Sequence, residues 1–161
     1  MRIAILSNGP GNYSTKRLKE VACARGHEVK VIKYRDCYAS IEQNNPTVSY
    51  KGEDLEGFDA IIPRIASHMT RYGTAIVRQL EMQGIYTVSG SLAINRSRDK
   101  LRSMQVLAKA GVGIPKTVVS RNSTDIDDLL EKLGGIPVII KLARGTHGNG
   151  VVLAESKKAA K

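Results

Sequence analysis

Lys141 interrupts the apolar run "PVIIKL", and Gly145, Gly148 and Gly150 follow it within the segment from Pro137 to Glu155, "PVIIKLARGTHGNGVVLAE". A charge inside an apolar strand is uncommon, because burying an ammonium is costly. Glycines without Cβ atoms let backbone amides approach an anion closely, and Lys141 and Arg144 set positive charge beside them. The chemistry this pattern offers is the handling of phosphate under a flap. From the loop alone, an ordinary flexible hairpin turn explains the glycines equally well, and Lys141 also reads as an edge lysine whose head reaches water.

Two better-known phosphate loops are excluded. A Walker A loop runs from its last Gly through Lys and Ser or Thr into a helix, and a dinucleotide fingerprint also opens a helix with its last glycine. Here Val151, Val152, Leu153 and Ala154 follow Gly150, so the loop joins two strands as a hairpin. A second cation, Lys100, stands at the expected start of a helix, where unpaired amides and the helix dipole favour anions. Taken singly it reads as well as a solvated helix lysine. Taken with Lys141, two lysines from separate elements can neutralise one triphosphate without a Walker loop.

The elements that must position these residues alternate along the chain. Arg2 to Leu6 reads as a strand, "SNGPGNYS" as a turn with Ser14 as helix N-cap, Leu18, Val21 and Ala22 as a helix face ending at Gly26, and Glu28 to Lys33 as a strand. A small hairpin is expected around Lys51 and Gly52, a buried strand from Asp59 to Pro63, a helix from Thr70 to Met82, and a strand from Tyr86 to Val88. This is a βαβ layout with a parallel sheet. A second unit begins in the nineties. It comprises a helix from Asp99 to Lys109 with Leu101, Met104 and Ala108 on one side, a strand from Lys116 to Val119, and a helix capped by Ser123 with Ile126, Leu129, Leu130 and Leu133 at helical spacing. The strand, glycine loop and strand follow, and a further helix begins at "ESKKAAK". The fold class expected is α/β, with a boundary that separates residues 1–95 from 96–161.

Composition narrows the function classes. Over 161 residues, 42% are apolar, enough for a core, while 4% are aromatic and Trp is absent, which argues against stacking platforms for single-stranded nucleic acid. Cys23 and Cys37 form no metal-ligand spacing, Cys37 has no recognisable nucleophilic partner, and His27, His68 and His147 are scattered, so no metal site is proposed within the chain. A reduced, cytoplasmic setting is expected, with neither a signal peptide nor a membrane span. The net charge of +10 is uneven: residues 1–95 carry 12 Lys/Arg against 9 Asp/Glu, and residues 96–161 carry 13 against 6. The excess lies with the glycine loop. It suits a polyphosphate ligand and equally an RNA or acidic protein surface, so direct RNA binding stays open. Arg64, just after the strand ending at Pro63, is placed to hold a substrate carboxylate at the C-terminal edge of the first sheet, although a surface loop arginine is as good a reading.

The segments "RIAILS", "YKGEDLEGFDAIIPRI", "RSRDKLRSMQVLAKAGVGIP" and "GGIPVIIKLARGTHGNGVVLAES" resemble the RimK-type ATP-grasp glutamate ligases from Met1 to the end of the chain. The resemblance implies a pre-ATP-grasp βαβ domain followed by the first α+β subdomain of an ATP-grasp fold. It implies that Lys100 and Lys141 bind ATP and that Gly145, Gly148 and Gly150 cover its phosphates. It also implies an acyl phosphate, formed on the C-terminal glutamate of a small-subunit ribosomal protein or acidic peptide and attacked by the amine of free glutamate.

Mg²⁺, or Mn²⁺, is expected for the complete enzyme, as is a homo-oligomer. In that family the metal ligands lie in the second half of the grasp, which this chain does not contain, and no catalytic side chain is singled out here. The 161-residue chain is therefore expected to be inactive alone. Two other readings are an ATP-grasp ligase for another carboxylate, such as a carrier protein or cofactor tail, and a truncated, non-catalytic binding or oligomerisation module.

Overall fold

The computed structural model describes residues 1–122, 124–142 and 150–161 and divides into two compact units, Met1–Arg98 and Asp99–Lys161. The fold class is α/β, as expected. In the first unit, β1 (Arg2–Ser7), β2 (Glu28–Ile32), β6 (Ala60–Arg64) and β7 (Tyr86–Thr87) form one parallel sheet in the order β2-β1-β6-β7. Ala4, Ile5 and Leu6 of β1 are at most 1% exposed, as a strand covered on both faces requires. Helix α1 (Tyr13–Ala24) connects β1 to β2, and its Leu18, Val21 and Ala22 are half-buried. Helix α2 (Thr70–Met82) buries Gly73, Ile76, Val77 and Leu80 at helical spacing. Gly73 is required there, since a Cβ would come within 2.5 Å of Ile65 Cγ2.

Between β2 and β6 the chain makes a small antiparallel sheet of β3 (Cys37–Ser40), β4 (Thr47–Tyr50) and β5 (Glu53–Asp54). The expected hairpin around Lys51 and Gly52 is present, with φ of 57° and 84° at the two loop residues, the left-handed pair that suits the twist of the flanking strands. Strand β3 was not anticipated. It is held from α2: Gln79 Nε2 donates to Ser40 O at 2.7 Å, and the Tyr72 hydroxyl donates to Cys37 O. Helix α3 (Ser91–Arg98) was also missed, and its N-terminus is anchored by Glu81 of α2, which accepts from Ser91 N at 2.8 Å and Ser91 Oγ at 2.6 Å.

The second unit contains α4 (Lys100–Lys109), α5 (Ile126–Leu133), the antiparallel pair β8 (Val138–Lys141) and β9 (Val151–Ala154), and α6 (Lys157–Ala160). Asp99 caps α4 by accepting from Arg102 N at 3.0 Å. Ile126 and Leu130 of α5 form a small core with Ala154 and Ala160. Gly134, at φ 96°, ends α5 in the left-handed region. Lys116–Val119, expected as a strand, is irregular, because among the described residues no strand lies beside it to complete a ladder. The apolar side expected on α4 is only partly covered, with Leu101 40% exposed. Ser123, expected to cap α5, lies outside the described residues, and Asp125 occupies the N-cap position.

Candidate functional site

In the first unit, the chain leaves β1 toward β2 on one side, and β6 lies on the other side of β1. The carboxyl ends of β1 and β6 therefore flank a reversal in strand order, the position at which open parallel sheets form ligand crevices. A cleft of about 640 Å³ opens there, lined by Ser7, Asn8, Asn12, Arg64, Ser97 and Arg98 among others. Asn8 ties its walls together: Oδ1 accepts from Arg35 N at 3.0 Å, and Nδ2 donates to Met69 Sδ at 3.2 Å. Beneath it, the buried Ser7 and Thr15 hydroxyls are 3.0 Å apart. A Cβ at Gly9 would lie 2.4 Å from Asn12 Nδ2, so a larger residue there would displace the Asn12 side chain from the cleft wall.

Arg64, the last residue of β6, is exposed and donates from Nη2 to Ser14 Oγ at 2.7 Å. This corrects the role expected for Ser14. Asn12 is the N-cap of α1, and the Ser14 hydroxyl, two residues further in, holds the arginine instead. Arg98 lines the same cleft and donates from Nη2 to Ile65 O at 2.7 Å. Sequence reasoning passed over Arg98 and Asn8. Arg98 stands in "RSRDK" two residues before Lys100, but nothing in that spacing shows that α3 returns to the end of β6.

In the second unit, the Lys100 ammonium donates to Leu142 O at 3.1 Å, and Leu142 N donates to Gly150 O at 2.8 Å. The structure thus brings Lys100 to the residue next to Lys141, at the base of the hairpin loop. Lys141 pairs with Val151 and shares a sheet face with Ile139 and Leu153; all four are exposed. Gly150 has φ 72°, and a Cβ there would lie 2.6 Å from Leu142 Cγ. Gly145, Gly148, Arg144 and His147 lie outside the described residues. Among the described residues no group of three or more His, Cys, Asp or Glu side chains gathers to hold a metal ion, and no helix is long and apolar enough to cross a membrane.

A parallel sheet with a cleft at its carboxyl edge, followed by a helix and hairpin with lysines at the loop base, is the build of the ATP-grasp class. Solved structures share this fold. The RimK domain protein ATP-grasp from Sphaerobacter thermophilus matches with a TM-score of 0.70 at 22% identity, over 99% of this chain and 57% of that one. D-alanyl-alanine synthetase A from Vibrio cholerae matches with a TM-score of 0.64 at 17% identity, over 99% and 53%. The family models described as RimK PreATP-grasp domain and RimK-like ATP-grasp domain match residues 1–94 and 97–161, and the chain belongs to the RimK family. Its relatives include proteins named probable alpha-L-glutamate ligase 2 in Shewanella frigidimarina, 56% identical over 160 residues, and probable alpha-L-glutamate ligase in Hydrogenovibrio crunogenus, 57% identical over 160 residues. The match covers 99% of this chain and 54% and 53% of those relatives, so the chain spans about half their length.

Proposed function

We propose that this chain forms the pre-ATP-grasp domain, residues 1–95, and the first part of the ATP-grasp domain, residues 96–161, of an ATP-dependent ligase that joins glutamate to a carboxylate acceptor. The observation that carries this reading is the contact of Lys100 with Leu142 O at the hairpin base, one residue from Lys141. Two ammonium groups at one loop base suit the phosphates of ATP, with Gly145, Gly148 and Gly150 in the flap over them. The relatives named as alpha-L-glutamate ligases support glutamate as the amine substrate.

In this reading ATP supplies the phosphoryl group that activates the acceptor carboxylate as an acyl phosphate. Lys100 and Lys141 fix the phosphates and offset charge as it develops, which is where positioned cations lower a phosphoryl-transfer barrier. Arg64 orients a substrate carboxylate at the edge of β6. The acceptor is the C-terminal glutamate of a small-subunit ribosomal protein or an acidic peptide, and the assembly is a cytoplasmic homo-oligomer that uses Mg²⁺ or Mn²⁺.

The test is glutamate-dependent ADP release by a protein of the relatives' full length that carries this chain, with peptides ending in Glu or in Gln as acceptors. Release is expected with the first peptide and not the second, and Arg64→Ala should raise the Michaelis constant of a carboxylate substrate. Release that ignores glutamate sinks the reading. A second reading, a ligase for a carrier protein or cofactor tail, draws on the fold shared with D-alanyl-alanine synthetase A, and release with such an acceptor alone selects it.

A further inference from the structure

We infer that two copies of this chain meet through the α1 face of the parallel sheet, their α1 helices antiparallel about a two-fold axis. This rests on the homo-oligomer of the proposed function and gives it a surface and a symmetry. It draws nothing from the cleft or from the hairpin lysines.

The first ground is that this face is half covered. The steps from β1 to β2 and from β6 to β7 run in opposite directions across the sheet, so right-handed crossovers put α1 and α2 on opposite faces. Helix α1 packs on β1 and β2, and its Thr15 hydroxyl meets that of Ser7 at 3.0 Å. On the other face, Ile76, Val77 and Leu80 of α2 and Ile94 of α3 pack with Ala4, Leu6 and Ile61. Among the described residues of this unit α1 is therefore alone on its side, and a helix about 10 Å wide spans two strands about 4.8 Å apart. Parallel strands are ordinarily covered on both faces, yet here β6 and β7 lie beyond the helix. Ile62, in register with Ile5, is half-buried, while Tyr86, in register with Ala60, is 65% exposed and Val88 55%. A groove of about 370 Å³ lies between α1 and the end of β6, lined by Tyr13, Arg17, Leu18, Val21 and Arg64 among others.

The second ground is the outward stripe of α1. Thr15, Leu18 and Ala22 turn toward the sheet, and Tyr13, Arg17, Glu20 and Ala24, all exposed, share the opposite side at helical spacing. Arg17 Nη1 lies 3.4 Å from Glu20 Oε2, an exposed pair that contributes little by itself. A two-fold axis through the middle of the helix, Tyr13–Ala24, sets Tyr13 against Ala24 and Arg17 against Glu20 of the second copy. The register of greatest overlap thus places each large ring on a small residue and each cation on an anion. An isologous contact needs a patch that complements itself in this way, which favours a second copy over an unrelated partner. Laid along the groove, the second helix also covers Ile62, Tyr86 and Val88.

The test is sedimentation of the 161-residue chain over a range of concentrations, without nucleotide. The unaltered chain should pass from monomer to dimer. Arg17→Glu sets two carboxylates against each other across the axis and Glu20→Arg two cations, and each should weaken the dimer by about tenfold or more. An equal mixture of the two variants should form a mixed dimer as tight as the unaltered one, because each Glu then faces an Arg. That recovery also shows that neither variant acts by misfolding. Tyr86→Asp should weaken the dimer, and Tyr38→Asp, at an exposed ring on β3, should not. A chain that stays monomeric leaves the face to some other occupant and overturns the inference. So do larger species in place of a dimer, a dimer indifferent to the charge reversals or to Tyr86→Asp, and a mixture no tighter than its components. A protein of the relatives' full length that oligomerises regardless of the reversals keeps the homo-oligomer and removes this surface. Because no ATP is present, none of these results touches the ligase reading, which fails instead by absence of ADP release.

Discussion

The Lys100 ammonium lies 3.1 Å from Leu142 O, which joins the first residue of α4 to the residue that leaves β8. Leu142 is also bound to Gly150 through its amide, so one lysine reaches the point where the two sides of the loop meet. Lys100 then has two duties, charge and anchorage, while Lys141 contributes charge from an exposed position on the strand.

Those duties separate by mutation. In a protein of the relatives' full length, Lys141→Ala and Lys100→Ala should each weaken MgATP binding by about tenfold or more, the worth of one charge-assisted contact to phosphate. Lys100→Ala should in addition speed hydrogen exchange at the Leu142 amide, because the carbonyl it held is released. Equal exchange in the two variants would show that the contact anchors nothing.

Gly150→Ala should destabilise the hairpin. A methyl group there meets Leu142 Cδ1 at 2.4 Å and Cγ at 2.6 Å, and the backbone stands at φ 72°. The left-handed conformation and the clash together cost about 1–3 kcal/mol, too much for a sheet of two strands to absorb without fraying. Faster exchange at Leu142 and Val152 measures it, with Gly113→Ala as the contrast, since nothing stands within 4 Å of a Cβ at that position.

Periodicity made most of the scaffold legible, and tertiary contact accounts for what it did not show. The β1, β2 and β6 runs and the α2 face at Ile76, Val77 and Leu80 are strongly patterned, and the structure has them where expected. The polar stretch that forms α3 has no such pattern. It is a helix because Glu81, ten residues earlier, satisfies its first amide, and a bond across that separation leaves no local trace. Strand β3 likewise depends on Gln79 and Tyr72. At the candidate sites Lys141 and Arg64 stood out by charge in or next to apolar runs, and Lys100 by its place at the start of a helix. Arg98 did not, because its place in the cleft comes from the path of α3.

The two thiols should react at very different rates. Cys23 is exposed, whereas Cys37 is 3% exposed and its thiol is pushed up to about 11 by burial, with the negative charge of Asp36 adding to the effect. At pH 8 an alkylating reagent should modify one thiol quickly and the second only as fast as the chain opens. The neutral thiol also links stability to pH. An unfolded chain begins to release this proton near pH 9 and the folded one only near pH 11, so the stabilisation is complete below pH 9 and is lost between the two. Denaturation midpoints should fall across that interval, and Cys37→Ala should remove this part of the fall.

Glu81 should prove to act on the cleft from a distance. Its carboxylate takes the amide and the hydroxyl of Ser91, two bonds to an ionised acceptor at the positive end of α3, and the far end of that helix carries Arg98. Glu81→Ala leaves the Ser91 amide, in a residue that is 4% exposed, without its acceptor, at a cost of about 1.5–3 kcal/mol. If α3 holds Arg98 in place, the loss should also appear as NMR shifts of the Ile65 and Ala66 amides, beside the carbonyl to which Arg98 donates. Ser91→Ala, which removes only the hydroxyl bond, should do less of both, and in the double variant the two effects should not add, since they share one carboxylate. Loss of stability without change in those amide signals would confine Glu81 to the fold and detach α3 from the cleft.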